Sequence, residues 1–126
     1  MRAYLYCTLF VSCLAIRTGI GQQTTSADTA RELFGACKDA IRFMDAKGSG
    51  DPGRADYCFG YFEGYANVAT FDGSALCLGG ARIGTMARVY VAYMEKNPKE
   101  LDYPNVIGAT EALKESYGCP AGSDKH

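Results

Sequence analysis

Apolar residues recur at helical spacing in four stretches of the chain, separated by glycine- and proline-rich breaks. The first stretch follows Thr29-x-x-Glu32, a capping-box pattern in which a hydroxyl and a carboxylate satisfy free N–H groups of a helix start. A helix is therefore predicted from near Thr29, or slightly earlier from Ser26. Leu33, Phe34, Cys37, Ile41 and Met44 line one face of it, and Arg31, Glu32, Lys38, Asp39 and Arg42 fall largely on the other. Asp45 to Gly53 (DAKGSGDPG) reads as a loop, because glycine and proline break a helix there. From about Ala55, Cys58, Tyr61, Phe62, Tyr65, Val68 and Ala69 follow i, i+3, i+4, i+7 order. Gly60 and Gly64 sit one turn apart in this run. Each costs up to ~1 kcal/mol relative to alanine in a helix interior, so the pair implies a helix-packing site around Gly60, Tyr61 and Gly64, crossed closely by another backbone.

Phe71 to Gly80 reads as a second loop, with Cys77 inside it. Ile83, Met86, Ala87, Tyr90, Val91 and Met94 then share one helical face, and Pro98 ends that helix after Lys96-Asn97. The last helix is predicted from Pro104, with Ile107, Thr110, Ala112, Leu113 and Tyr117 along it, up to Gly118-Cys119-Pro120. No period-2 run of convincing length occurs. The pattern predicts an all-α, compact four-helix domain over residues 29–120 and a polar, flexible tail over 121–126.

The chain before Thr29 has a different logic. Met1-Arg2 is a positive start, Ala3 to Ile16 is nearly unbroken apolar sequence, and Arg17 is followed by small and polar residues. That is the three-part plan of a secretory signal, and the run is short of the ~20 apolar residues that span a bilayer. Residues 1–21 are expected to be a signal peptide, with cleavage after Gly21 or as late as Ala27, and 22–28 a short linker. After cleavage no membrane segment is expected, and the location is the periplasm.

Cleavage changes the cysteine count. Of six cysteines in the 126 residues, Cys7 and Cys13 leave with the signal, and Cys37, Cys58, Cys77 and Cys119 remain. An even count in a small exported chain reads as a disulfide framework, and four cysteines allow three connectivities. No CxxC pair occurs and the single histidine is the terminal His126, so neither a zinc site nor a histidine triad is expected. The mature chain carries 11 basic and 14 acidic side chains. With no basic excess, nothing points to nucleic acid.

Each candidate chemistry has a plain alternative. Asp45 to Asp56 has the length of an EF-hand loop, with Asp45, Ser49, Gly50 and Asp51 at ligand or turn positions. Lys47, however, occupies a ligand position, and Asp56 replaces the bidentate glutamate. A solvated turn without metal is the better reading. Gly79-Gly80-x-x-x-Gly84 precedes a helix but matches no phosphate-binding pattern. Asp56, Glu63 and Asp72 offer carboxylates with nothing to fix their separation. No catalytic residue, metal or cofactor is expected. The tyrosines, nine in all, divide between core and interface roles.

The ordered motifs resemble a known family. Cys58-Phe-Gly-Tyr-Phe-Glu-Gly64 is similar to the CxGYxxG segment of the Rap1a/Tai immunity proteins. The helix ending Tyr93-Met-Glu-Lys-Asn-Pro98 is similar to that family's third helix, and Ala112-Leu113 with Tyr117-Gly-Cys119 to its closing segment. Cys37 matches the cysteine on the family's first helix. Leu78-Gly79-Gly80 stands where the family often has proline, Asn97 where histidine is usual, and Gly118 where proline is usual. The resemblance covers about residues 29 to 120. It implies a secreted, disulfide-linked helical protein, with Cys37 paired to Cys58 and Cys77 to Cys119. It also implies a non-enzymatic role: binding a peptidoglycan amidase effector of a type VI secretion system and blocking its active site, often as a homodimer.

On that reading a protruding loop occludes the amidase cleft, and the candidate partner-binding residues are Phe71, Asp72, Ser49 and Asp51. Phe71 is the leading anchor, as an aromatic beside Asp72-Gly73 in a loop. The alternative is an envelope stress chaperone, or an orphan helical binding protein of the periplasm. A stoichiometric, partner-specific complex separates the first reading from a pH-triggered, promiscuous holdase.

Overall fold

A computed structural model describes residues 29–45, 49–71 and 75–120. The expected signal segment, linker and tail, together with Asp72, lie outside the described residues. Four helices follow in order: α1 (Ala30–Met44), α2 (Pro52–Phe71), α3 (Ile83–Lys96) and α4 (Asn105–Tyr117), with a 3-10 turn over Pro98–Asp102. The fold is all-α. Its extended pairings among the described residues are two isolated bridges, Thr29 with Pro104 and Leu76 with Gly118.

The predicted start of α1 is where the chain puts it. Thr29 is the N-cap, and its hydroxyl accepts from the Glu32 N–H at 3.4 Å. α2 starts earlier than Ala55, at Pro52. Pro52 has no N–H to leave unsatisfied in a first turn, and the Asp51 carboxylate accepts from the Arg54 N–H at 3.0 Å. Composition alone reads Asp51-Pro52-Gly53 as a break; it is a capped helix start. α2 also runs on to Phe71, so the second loop begins after that residue.

α1 packs against α2, α3 and α4. It can do so because Ala30, Ala36 and Ala40 present small surfaces around the larger Leu33. Phe62, Met86, Tyr90, Met94 and Leu113 complete the core. The fully buried Tyr90 donates its hydroxyl to the Ala30 carbonyl at 2.8 Å, so its polar end is satisfied inside the core.

Three amphipathic assignments are corrected. Val68 and Ile107 are exposed, at 62% and 48%. α4 instead buries Gly108, Ala109, Ala112 and Leu113. Gly108 is where a helix is crossed closely: a Cβ there would lie 3.3 Å from Ala30 Cβ and would collide with Met94. At Gly60 and Gly64 an added Cβ meets nothing within 4 Å among the described residues, so no described backbone crosses them. Finally, Asp39 is buried rather than on the polar face. Its carboxylate accepts from Arg42 one turn on, and from Arg54 Nε of α2 at 2.8 Å. The hydrogen bond from Arg42 leads the effects that hold its pKa below the usual carboxylate range, against the opposing cost of burial, with Arg54 adding in the same direction.

Two disulfides fasten this arrangement, Cys37–Cys58 and Cys77–Cys119. The first joins α1 to α2 in the core, with both cysteines fully buried. The second ties the segment before α3 to the chain after α4. There Cys77 N–H donates to the Tyr117 carbonyl at 2.7 Å, and Cys119 N–H to the Ala75 carbonyl at 2.8 Å. Cys77 is exposed and Cys119 half-buried.

Candidate partner-binding surface

The uncovered glycines of α2 form one side of a groove. Gly60, Gly64 and Val68 recur every four residues, so they align on one face, and Tyr61 and Tyr65 stand beside them. The first turns of α4 supply the other wall through Asn105, Val106 and Thr110, and the groove holds about 530 Å³. Thr110 donates to the Val106 carbonyl at 2.7 Å, which uses its single proton. Tyr65 therefore donates its hydroxyl to Thr110 Oγ1, 2.8 Å away, and that bond links the two helices beneath the groove.

The tyrosine wall is ordered by its own packing. Tyr57, Tyr61 and Tyr65 repeat at i, i+4, i+8 along α2. The rings of Tyr61 and Tyr65 stack with centroids 6.4 Å apart, and Tyr61 meets Phe62 edge-on at 5.4 Å. Burial, followed by the neighbouring tyrosines, raises the pKa of Tyr61 well above the ordinary phenol value. Tyr61 therefore keeps its proton at physiological pH. Exposed Val68 and Val106 (52%) give the groove its apolar lip.

The loop candidates are placed differently from one another. Ser49 is exposed at the α1–α2 turn. Asp51 is exposed too, but its carboxylate is engaged in capping α2. The turn is held against α1: a Cβ on Gly50 would collide with the Asp39 carbonyl oxygen, which is backbone and cannot give way. Phe71 is the last residue of α2, a helix end where a loop was expected. The described candidates thus divide between two ends of α2, and the groove lies along the helix between them.

Among the described residues the carboxylates do not assemble into a metal or acid–base site. Asp45 pairs with Arg88 at 2.5 Å, Asp51 caps α2, and Asp56 lies exposed on α2. Among the described residues no group of three or more metal-ligating side chains comes together. Glu63 is exposed two helical turns from Asp56, about 10 Å along the axis.

Asn105, Val106 and Thr110 were missed as surface residues by the sequence pattern. The available signal was the Gly108-Ala109-x-x-Ala112 series, which identifies the buried face of α4 and so turns Val106 and Ile107 outward.

A four-helix domain closed by two disulfides, with an apolar groove on its surface, defines a small helical binding scaffold. The family model of the Rap1a immunity proteins matches residues 29–119. The chain belongs to the Rap1a immunity protein family, and its coarse function follows: it is an immunity protein that binds a protein effector of a type VI secretion system. No match is found among curated proteins or solved structures.

Proposed function

We propose that the mature chain works in the periplasm, where it binds a peptidoglycan amidase effector and occludes its active site. The match to the immunity family over residues 29–119 carries this reading. Two disulfides support the compartment, since such bonds persist in oxidising surroundings. The signal-like residues 1–21 agree with export. The protein acts by steric exclusion rather than by chemistry: a rigid scaffold brings an apolar surface to the effector and shuts substrate out of its cleft.

The test uses the oxidised mature chain with purified amidase effectors from the type VI systems of the same bacterium. One effector should form a stoichiometric complex and lose its peptidoglycan hydrolysis. Expression in the periplasm, but not in the cytoplasm, should protect cells that export that effector. Sedimentation of the free chain reads the homodimer that the resemblance implies. Promiscuous holdase activity increasing at low pH, without a stoichiometric amidase complex, would overturn the reading.

A further inference from the structure

Two exposed glycines in the middle of a 20-residue helix cost stability, and among the described residues no contact repays that cost. Gly108 admits a neighbouring helix, whereas Gly60 and Gly64 open onto solvent beside an apolar groove. The lining continues past Thr110, which also borders a smaller depression with Ala75, Leu76 and Lys114.

The charges around this face select its occupant. Asp56 and Glu63 are exposed on the glycine side of α2, and among the described residues neither enters a salt bridge. The basic residue at the start of α2, Arg54, is committed to Asp39. Lys114 is one turn beyond Thr110, at the far end of the lining. A second copy crossing symmetrically at Gly60 and Gly64 would bring Glu63 close to its own equivalent, which is unfavourable at neutral pH.

We infer that the Gly60–Gly64 face and its groove receive a basic segment of the effector. An apolar side chain of that segment enters between Tyr61, Tyr65 and Val106, its backbone passes close over the glycines, and its Lys or Arg side chains face Asp56 and Glu63. This rests on the immunity reading and names the surface and partner chemistry within it.

Opposite effects on stability and binding test it. Gly60→Ala/Gly64→Ala places methyl groups in open space and should raise the melting temperature, since alanine is the better helix former. The same methyl groups should weaken binding of the purified amidase at least tenfold by calorimetry, and Gly64→Gln should abolish it. Glu63→Lys should slow association and flatten its dependence on salt. Ser49→Arg reads the competing α1–α2 turn, and Glu95→Ala, exposed on α3 outside the groove lining, serves as the control that should bind within threefold of wild type.

If Gly64→Gln binds as wild type does while Ser49→Arg does not, the contact lies on the α1–α2 turn and the inference fails. Faster association by Glu63→Lys would overturn the basic character of the partner. A free dimer that Gly64→Gln dissociates would assign the face to a second copy instead. If the wild type itself binds no amidase, the immunity reading fails first and takes this inference with it.

Discussion

Replacing Asp39 by asparagine removes a charge from between two helices while keeping the side chain's shape. The Asp39 side chain is only 10% exposed and accepts from both Arg42 and Arg54. Hydrogen bonds to charged groups contribute about 1.5–3 kcal/mol each when fully buried. Here the two arginines are nearly half exposed, at 47% and 44%, which weakens both pairs. An asparagine oxygen also retains one bond. The net loss at pH 7 is therefore about 2 kcal/mol, or about 8–16 °C in melting temperature for a domain of this size. The pH dependence is the sharper part. The folded-state pKa of Asp39 is depressed, so its contribution is fully present above the usual carboxylate range and is lost as pH falls through the folded value. Urea melts of the oxidised wild-type and Asp39→Asn chains, run from pH 7 down to about pH 2, should show the gap closing in acid. A gap that stays constant with pH, or one below about 0.5 kcal/mol at pH 7, would refute the assignment of a charged, structural role.

The two disulfides should separate under mild reductant. Cys77–Cys119 has an exposed member and should be alkylated in the native protein, whereas the fully buried Cys37–Cys58 should react only on unfolding, as mass spectrometry of trapped thiols can read. Tyr90→Phe removes the buried bond to Ala30 and should cost about 1–1.5 kcal/mol in denaturant melts, with the fold unchanged by circular dichroism. Gly50→Ala should cost about 1–3 kcal/mol, because its methyl group meets the Asp39 backbone. Spectrophotometric titration should find Tyr61, Tyr90 and Tyr93 resisting ionisation. Tyr93 is pushed up to about 12, first by burial and then by its bond to Glu100. Since these folded values are raised, stability should be full below the ordinary phenol value and fall as pH rises beyond it.

The partition of the chain into helices was legible because each rests on local chemistry. Thr29 and Glu32 mark a start whatever the rest of the chain does, and Pro98 ends α3 wherever that helix packs. The face of α3 was legible for the same reason: Met86, Ala87, Tyr90, Val91 and Met94 recur without interruption, and all are buried. Misplaced boundaries arose where one residue type serves two purposes. Pro52 breaks a helix that precedes it but starts one that follows, and only the capping bond from Asp51 decides between them.

Packing between elements was beyond the pattern. Asp39 looks like a surface residue until Arg54, fifteen positions away, is folded against it. Ile107 looks like core, but α1 approaches α4 through Ala30 and selects the small face at Gly108 and Ala109. Gly60 and Gly64 signalled a close approach in the sequence, and among the described residues nothing makes one. A hydrophobic period reports which side of a helix is apolar. The tertiary structure alone decides how much of that side finds a partner inside the molecule, because burial is a property of two surfaces together. For this protein the helices, their caps and the family pattern were set locally, whereas the groove between α2 and α4 exists only once α1 has fixed the distance between them.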